Sequence, residues 1–210
     1  MKSGEINSLF NSLSKVIKNP KSDLKYKNKF TLLVSVVLSA QCTDVNVNNV
    51  TKNIYLKYNK PEHFIKLGRK KIEKLIKSIG LFRNKAKSVY LLSKQLIEKH
   101  NGKVPNNFEA LYALPGVGRK TASVVLNEGF GLPTIAVDTH VFRVSNRTGL
   151  APGKNPDEVQ KRLYEVVPKK YLKKAGHTIL LHGRYTCKAR TPSCKTCIII
   201  KYCNYKDKEI

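Results

Sequence analysis

The stretch from Asn107 to Asn127 constrains the fold of this chain most strongly. It reads NFEALYALPGVGRKTASVVLN, with apolar residues at helical spacing on both sides of the turn LPGVG. Pro115 ends the first helix, because a proline disfavours the helical conformation in the residue before it. Gly116 and Gly118 permit backbone angles that are closed to other residues and let the main chain approach a ligand closely. The segment therefore predicts two short helices joined by a tight hairpin.

The second helix of this segment begins at Arg119, so its first N–H groups point back over the hairpin. Such a helix end is the positive end of the helix dipole and a seat for an anion such as a phosphate. A corner that only packs is the simpler interpretation, but it leaves Arg119 and Lys120 unexplained. The segment resembles a helix-hairpin-helix, a module that holds a DNA phosphate without reading sequence. The resemblance predicts DNA contacts from Gly116, Val117, Gly118 and Arg119.

The charge of the chain predicts a polyanionic partner. Lysine and arginine number 40 against 14 aspartates and glutamates, a formal charge of +26. Lysine can reflect compositional bias, but the chain has only eight arginines, and arginine suits phosphate geometry. Six of them lie from the hairpin onward: Arg119, Arg143, Arg147, Arg162, Arg184 and Arg190. We expect Arg143, Arg147 and Arg190 to contact DNA.

Composition also bears on location. The longest apolar run, from Phe30 to Ala40, is shorter than the roughly 20 residues that span a bilayer, and the N-terminus is polar. Five cysteines, four of them near the C-terminus, suit a reducing compartment and a metal site better than a disulfide framework. We expect a cytoplasmic, nucleoid-associated monomer that does not enter a membrane.

Apolar spacing elsewhere in the chain is helical. No segment alternates at period two, so the predicted fold class is all-α with little or no sheet. The segment from Phe30 to Gln41 is apolar nearly all round, which predicts a buried central helix. Further helices are predicted within residues 1–20, 45–58, 62–67, 70–79, 85–99, 157–166 and 169–184.

Two residues are candidates for entering a base stack. Gln41 is a polar residue at the end of an apolar stripe, so it is either a capping amide or a side chain that fills the gap left by an extruded base. Leu81 lies at the tip of a second, weaker hairpin, IGLFRNKA, whose pattern of Gly, Arg and Ala matches that of the first. Its side chain either folds inward or acts as a wedge between bases.

Lys120 and Asp138 carry the candidate chemistry. From residue type alone Lys120 is a surface lysine, and only its position after the hairpin favours more. At the positive end of a helix, beside Arg119 and shielded by substrate, the neutral amine is favoured, and it can attack a sugar carbon to form a Schiff base. Asp138 opens a helix after the apolar segment IAV, which predicts an N-cap. A capped carboxylate can stabilise positive charge on a sugar or accept a proton.

The C-terminal segment predicts a metal centre. Its cysteines follow the pattern C-x6-C-x2-C-x5-C: Cys187, Cys194, Cys197 and Cys203. Zinc held by four thiolates is one interpretation, but zinc ribbons usually pair two CxxC knuckles and only one is present. A single unsymmetrical loop fits a [4Fe–4S] cluster better. Lys188 and Arg190 lie in this loop, which suggests that the metal presents cations to DNA.

Four features together resemble the endonuclease III family of bacterial DNA glycosylases with AP-lyase activity. They are LPGVGRKTA (114–122), VDTHVFRV (137–144), LSAQCTD (38–44) and the cysteine spacing. The resemblance covers about residues 5–207. It implies an all-α fold of two domains with a DNA cleft between them. One is a six-helix domain of about residues 22–132, and the other joins 1–21 to 133–210 with the cluster loop 187–203.

The resemblance also implies roles and a reaction. Lys120 becomes the nucleophile, Asp138 its catalytic partner and the four cysteines the ligands of one [4Fe–4S] cluster. The expected enzyme removes oxidised pyrimidines from double-stranded DNA and nicks the strand 3′ to the abasic site by β-elimination. Two alternatives stay open: a monofunctional adenine-excising glycosylase, against which Lys120 argues, and a non-catalytic DNA-binding module with a structural metal.

Overall fold

The computed structural model describes residues 1–208. Within those residues the secondary structure is helical, with ten α-helices and no β-strand, which confirms the predicted all-α class. Two 3₁₀ turns, Cys194–Thr196 and Ile200–Tyr202, follow the last α-helix. In chain order the helices are α1 (Ser3–Val16), α2 (Lys29–Ser39), α3 (Asp44–Lys57), α4 (Pro61–Leu75), α5 (Phe82–His100), α6 (Phe108–Tyr112), α7 (Arg119–Phe130), α8 (Thr139–Thr148), α9 (Pro156–Val166) and α10 (Lys169–Tyr185).

The chain forms two compact units. The hairpin unit is the continuous segment Asp23–Gly131, and of the helices in the described part of the chain it holds α2 to α7. The terminal unit joins residues 1–22 to the segment from Leu132 onward, so it holds α1 and α8 to α10. Each unit has its own hydrophobic core.

Helix α2 is the centre of the hairpin unit. Every residue from Phe30 to Leu38 is buried, as its almost wholly apolar sequence requires. The helix packs against α3, α5 and α7. At its start the Asn28 side chain accepts a hydrogen bond from the Thr31 N–H. The buried Ser35 hydroxyl pairs with the Tyr55 hydroxyl at 2.7 Å, and burial raises the pKa of Tyr55.

Several helix boundaries differ from the sequence prediction. Helix α2 ends at Ser39, so Gln41 lies beyond it with a left-handed φ of 53°. Helix α3 begins at Asp44 and is capped by Thr43, whose hydroxyl accepts from the Asn46 N–H. The two helices predicted for 62–67 and 70–79 form one run, α4, interrupted at Gly68 with φ 70°. Glycine tolerates that conformation, so the chain bends there without losing the stripe of apolar residues.

The terminal unit is built on the amphipathic helix α1. Its buried face consists of Ile6, Leu9, Phe10 and Leu13, and α1 packs against α10. The Phe10 ring stacks on Tyr171 with centroids 5.1 Å apart. Helix α8 packs against both α9 and α10. The first helix of the chain therefore packs with helices of its C-terminal third.

Within residues 1–208, none of the helices is both long enough and apolar enough to cross a bilayer.

We expect Leu33→Ala to destabilise the hairpin unit by about 2–5 kcal/mol, because Leu33 is fully buried in α2 and its loss leaves a cavity. Urea unfolding followed by circular dichroism measures the change. The matched control is Leu56→Ala in α3, where the side chain is 63% exposed and a change within about 0.5 kcal/mol is expected. Equal losses in the two variants would contradict the central position of α2.

Candidate active site and cysteine centre

The predicted hairpin is present in the hairpin unit. Helix α6 is capped by the Asn107 side chain, which accepts from the Ala110 N–H at 2.8 Å. After α6 the Val117 N–H donates to the Leu114 carbonyl at 3.1 Å, which closes the turn before α7 begins. The Val117 side chain is 6% exposed and packs in the core. Only the main chain of Val117 is therefore available to the predicted DNA contact.

The two glycines of the hairpin have different surroundings. Gly116 has φ +80°, and a Cβ added there lies 2.5 Å from Ser88 Cβ, so the turn rests directly on α5. Gly118 is the N-cap of α7, and a Cβ added there has nothing within 4 Å. Gly118 offers no side chain to cap α7 from its own position. The first N–H groups of α7 therefore lie beside an open surface, and the predicted phosphate contact at this helix end stays a prediction.

Arg119 and Lys120 occupy the first turn of α7, and both are exposed. The Arg119 guanidinium lies 5.9 Å from the Phe108 ring centroid and 5.7 Å from that of Tyr112. These two rings stack at 5.8 Å with an interplanar angle of 14°. The aromatic pair on α6 thus orients a cation beside the glycine turn, a contact that the sequence analysis did not anticipate. Its signal is the i, i+4 spacing of the two rings on α6.

Gln41 and Leu81 lie on neighbouring loops of the same unit. Both are exposed and both have left-handed backbone, with φ of 53° and 58°. A Cβ added at Gly80 lies 3.8 Å from the Gln41 carbonyl oxygen, so the two loop tips are adjacent. Leu81 is 57% exposed, whereas Phe82 packs against the core. The inward alternative therefore describes Phe82, and Leu81 presents its side chain to solvent.

Asp138 lies in the terminal unit at the start of α8. One carboxylate oxygen, Oδ1, accepts from the N–H groups of His140 and Val141, both at 2.9 Å. The N-cap predicted from the sequence is thus present. The two hydrogen bonds hold the carboxylate in one orientation.

The four C-terminal cysteines line a single pocket in the terminal unit, together with His182 and Ile199. Burial raises the pKa of the Cys197 and Cys203 thiols, and the neighbouring cysteines add to the rise. Four cysteines packed this closely could become thiolates together only with a compensating positive charge, which a bound metal centre would supply. Yet no three or more His, Cys, Asp or Glu side chains in the described chain are arranged to hold a single metal ion.

Arg143 and Arg147 hold the cysteine loop. Arg143 donates to the carbonyls of Cys187 at 3.1 Å and Gly183 at 2.8 Å. Arg147 donates to the carbonyls of Lys188 and Ala189 at 2.7 and 2.8 Å. We predicted that both arginines contact DNA, but these guanidinium donors are directed at the backbone of the loop. Their i, i+4 spacing on α8 could have indicated a shared target.

Charged and titratable side chains lie in the cysteine loop and beside it. Lys188 and Arg190 are exposed, so the loop presents cations at the surface. His182 is 3% exposed, and its Nε2 lies 3.8 Å from Cys197 Sγ. Burial lowers the pKa of His182 to about 4, so the imidazole beside the thiolates is neutral at physiological pH. His182 was not predicted from the sequence, because it lies 15 residues before Cys197 and no short motif joins the two.

The chain is similar to known DNA repair proteins. Residues 34–169 match the model of the HhH-GPD superfamily of base excision DNA repair proteins. A thermostable thymine-DNA glycosylase shares the fold, with a TM-score of 0.87 at 24% identity, covering 98% of both chains.

Proteins with higher sequence identity indicate the family within this superfamily. The chain is 54% identical to endonuclease III of Rickettsia conorii over 95% of both proteins, and 50% identical to that of Escherichia coli K12 over 90% of both. A trapped endonuclease III–DNA covalent intermediate superposes with a TM-score of 0.91 at 43% identity, covering 97% of this chain and 96% of that one. The chain belongs to the endonuclease III family. It is a bifunctional DNA glycosylase and AP lyase of base excision repair that acts on oxidised pyrimidines.

We expect Gly116→Ala to destabilise the hairpin unit by roughly 1–3 kcal/mol, because alanine is strained at φ +80° and its Cβ meets Ser88. Urea unfolding measures the loss. Gly118→Ala is the matched control, since its φ of −91° suits alanine and its surroundings are open, and its stability should stay within about 0.5 kcal/mol of wild type. A stable Gly116→Ala variant would show that the turn does not depend on this contact.

Proposed function

We propose that Lys120 is the nucleophile of this enzyme and that its substrate is double-stranded DNA carrying damaged bases or abasic sites. One observation carries the proposal: an exposed lysine lies in the first turn of a helix directly behind an open glycine hairpin. The same arrangement that seats a phosphate therefore brings an amine next to the sugar of that nucleotide. A relative trapped as a covalent DNA intermediate supports the assignment.

In the proposed reaction the damaged nucleotide leaves the stack, since its sugar carbon is out of reach inside the duplex. The neutral amine of Lys120 attacks the anomeric carbon of the deoxyribose, and the bond between sugar and base breaks as the base takes up a proton. The opened sugar is then joined to the lysine as a Schiff base. Loss of a proton from the neighbouring sugar carbon expels the 3′ phosphate by β-elimination. Water hydrolyses the remaining Schiff base and restores the amine.

We assign Asp138 the electrostatic part of this reaction. Its carboxylate is oriented by two backbone N–H groups and carries a fixed negative charge. Positive charge develops on the sugar as the base departs, and a preorganised carboxylate stabilises it more than water does. The same group can accept the proton that the attacking amine releases.

DNA binding is proposed to rest on phosphate contacts. The hairpin main chain at Gly116, Val117 and Gly118 and the braced Arg119 hold one phosphate, and Lys188 and Arg190 hold others. Gln41 and Leu81 occupy the space that the extruded nucleotide leaves. Because the chain carries a formal charge of +26, we expect affinity to fall steeply with salt. The predicted cleft between two domains, with boundaries near residues 22 and 132, remains part of this proposal.

We propose that the cysteine pocket holds one [4Fe–4S] cluster. Four cysteines line it, and their spacing, with a single CxxC in one unsymmetrical loop, fits a cluster with one thiolate on each iron better than mononuclear zinc. When bound, the cluster would be held by Cys187, Cys194, Cys197 and Cys203, and its bonds to these thiolates would fix the loop that carries Lys188 and Arg190; it would take no part in the sugar chemistry. Such a centre needs a reducing compartment, so we propose that the enzyme is located in the cytoplasm, at the nucleoid. We also propose that it acts as a monomer.

We expect Lys120→Gln to lower strand nicking by roughly 10³-fold or more, because the Schiff base cannot form without the amine. Borohydride added during turnover on abasic duplex DNA traps the wild-type adduct, which is counted on a denaturing gel. Lys66→Gln, an exposed lysine on α4, loses the same charge and should trap normally. Trapping that survives in Lys120→Gln would mean that another residue is the nucleophile. Duplex binding without nicking in wild type would favour the DNA-binding module.

We expect Cys194→Ala to abolish the visible absorbance of the purified protein, because an iron–sulfur cluster loses a ligand, whereas a zinc site is colourless. Iron analysis of wild type should give about four atoms per chain. Cys42→Ala is the matched control, since Cys42 belongs to the hairpin unit and does not line the pocket, and it should keep both iron and colour. A colourless wild-type protein containing zinc would overturn the cluster assignment.

A further inference from the structure

Lys85 is a buried cation that the proposed reaction does not use. It is the fourth residue of α5 and only 6% exposed. Its Nζ donates to the Leu38 carbonyl oxygen at 2.9 Å. Removing an ammonium group from water costs several kcal/mol, and burial accordingly lowers the pKa of Lys85. An ordinary core position at this point would take an apolar residue, so the buried charge needs a specific reason.

The contact of Lys85 lies at the end of helix α2. Leu38 belongs to the last turn, where carbonyls lack a partner within the helix, and the Cys42 N–H donates to Ser39 instead. A cation at a helix C-terminus is also favoured by the helix dipole. Lys85 therefore fixes the direction in which the chain leaves α2, three residues before Gln41.

The same residue is tied to the second loop. The Lys85 backbone N–H donates to the Leu81 carbonyl at 3.0 Å. Nearby, the Asn46 side chain donates to the Ser78 carbonyl at 3.2 Å, which links the start of α3 to this loop. Through these contacts the loop that carries Gln41 and the loop that carries Leu81 are connected at two points.

Both loop tips have a backbone conformation that is costly for their residue types. Within the described chain only Gln41, Leu81 and Asn101 are non-glycine residues with positive φ. Asn101 caps α5, a position that asparagine tolerates. For Gln41 and Leu81 the conformation is strained and persists only where the surroundings impose it. The contacts of Lys85 and Asn46 are such surroundings.

We infer that Lys85 is a positioning residue that holds Gln41 and Leu81 as one rigid pair for entry into the base stack. The inference rests on the proposed function, in which these two side chains fill the space of the extruded nucleotide. A rigid pair enters the stack without first being ordered, so less of the binding free energy is lost. Misplacement by about 1 Å can cost on the order of 100-fold in rate.

The test compares Lys85→Met with Lys94→Met on a duplex carrying an oxidised pyrimidine. Methionine keeps the length and apolar stem of lysine at position 85 but removes the ammonium group, and Lys94 is an exposed lysine on the same helix. We expect Lys85→Met to lower kcat/KM by about 10- to 100-fold. The fluorescence rise of a 2-aminopurine placed beside the lesion, which reports unstacking, should slow to a similar extent. Lys94→Met should match wild type in both measurements.

A mutant cycle separates positioning from general stability. In a Gln41→Ala, Leu81→Ala background there is no pair left to position, so adding Lys85→Met should lower kcat/KM no further. An equal loss in both backgrounds would overturn the inference, because Lys85 would then act through the fold. Failure of the proposed function is distinguishable, since wild type itself would then give no borohydride adduct.

A second variant covers the case in which Lys85→Met does not fold, as judged by circular dichroism. Asn46→Ala removes the other link, to Ser78, from a half-buried site without burying or removing a charge. We expect a smaller loss of kcat/KM in the same direction, with slower unstacking, and no added loss in the Gln41→Ala, Leu81→Ala background. Wild-type unstacking kinetics in Asn46→Ala would contradict the linked-loop arrangement.

Discussion

Burial of α2 is the constraint on which the hairpin unit depends. Its sequence is apolar on every side, so it is stable only when helices cover it on every side. The helices that cover it include α5 and α7. Leu81 immediately precedes α5, and Lys120 lies in the first turn of α7. The end of α2 leads directly to Gln41. One buried helix therefore fixes the positions from which the proposed chemical and base-stack residues extend.

The terminal unit combines an apolar core with hydrogen bonds from charged side chains. The loop with four cysteines contributes Ile199 to that core, and its backbone is held by Arg143 and Arg147 from α8. The neutral His182 adds no charge to the pocket. In the proposed enzyme the metal centre completes this arrangement, and the result is a firm loop with Lys188 and Arg190 at the surface.

Catalysis in this scheme depends on helix starts. Lys120 lies in the first turn of α7 and Asp138 is the N-cap of α8. In this scheme the N–H groups at the start of α7 bind a phosphate. Those at the start of α8 hold the Asp138 carboxylate. The same backbone property thus serves anion binding in one unit and orientation of a charged side chain in the other. Neither role needs a strand or a deep apolar pocket.

The sequence alone determined the helices, the glycine hairpin, the cap at Asp138 and the cysteine set, because these depend on periodicity and turn chemistry within a few residues. It did not determine where Arg143 and Arg147 point, nor that the loops of Gln41 and Leu81 are adjacent. Those features depend on contacts between residues about 40 or more positions apart, such as Arg143 with Cys187 and Lys85 with Leu38. Only packing of whole helices brings such residues together, so the tertiary structure decided them.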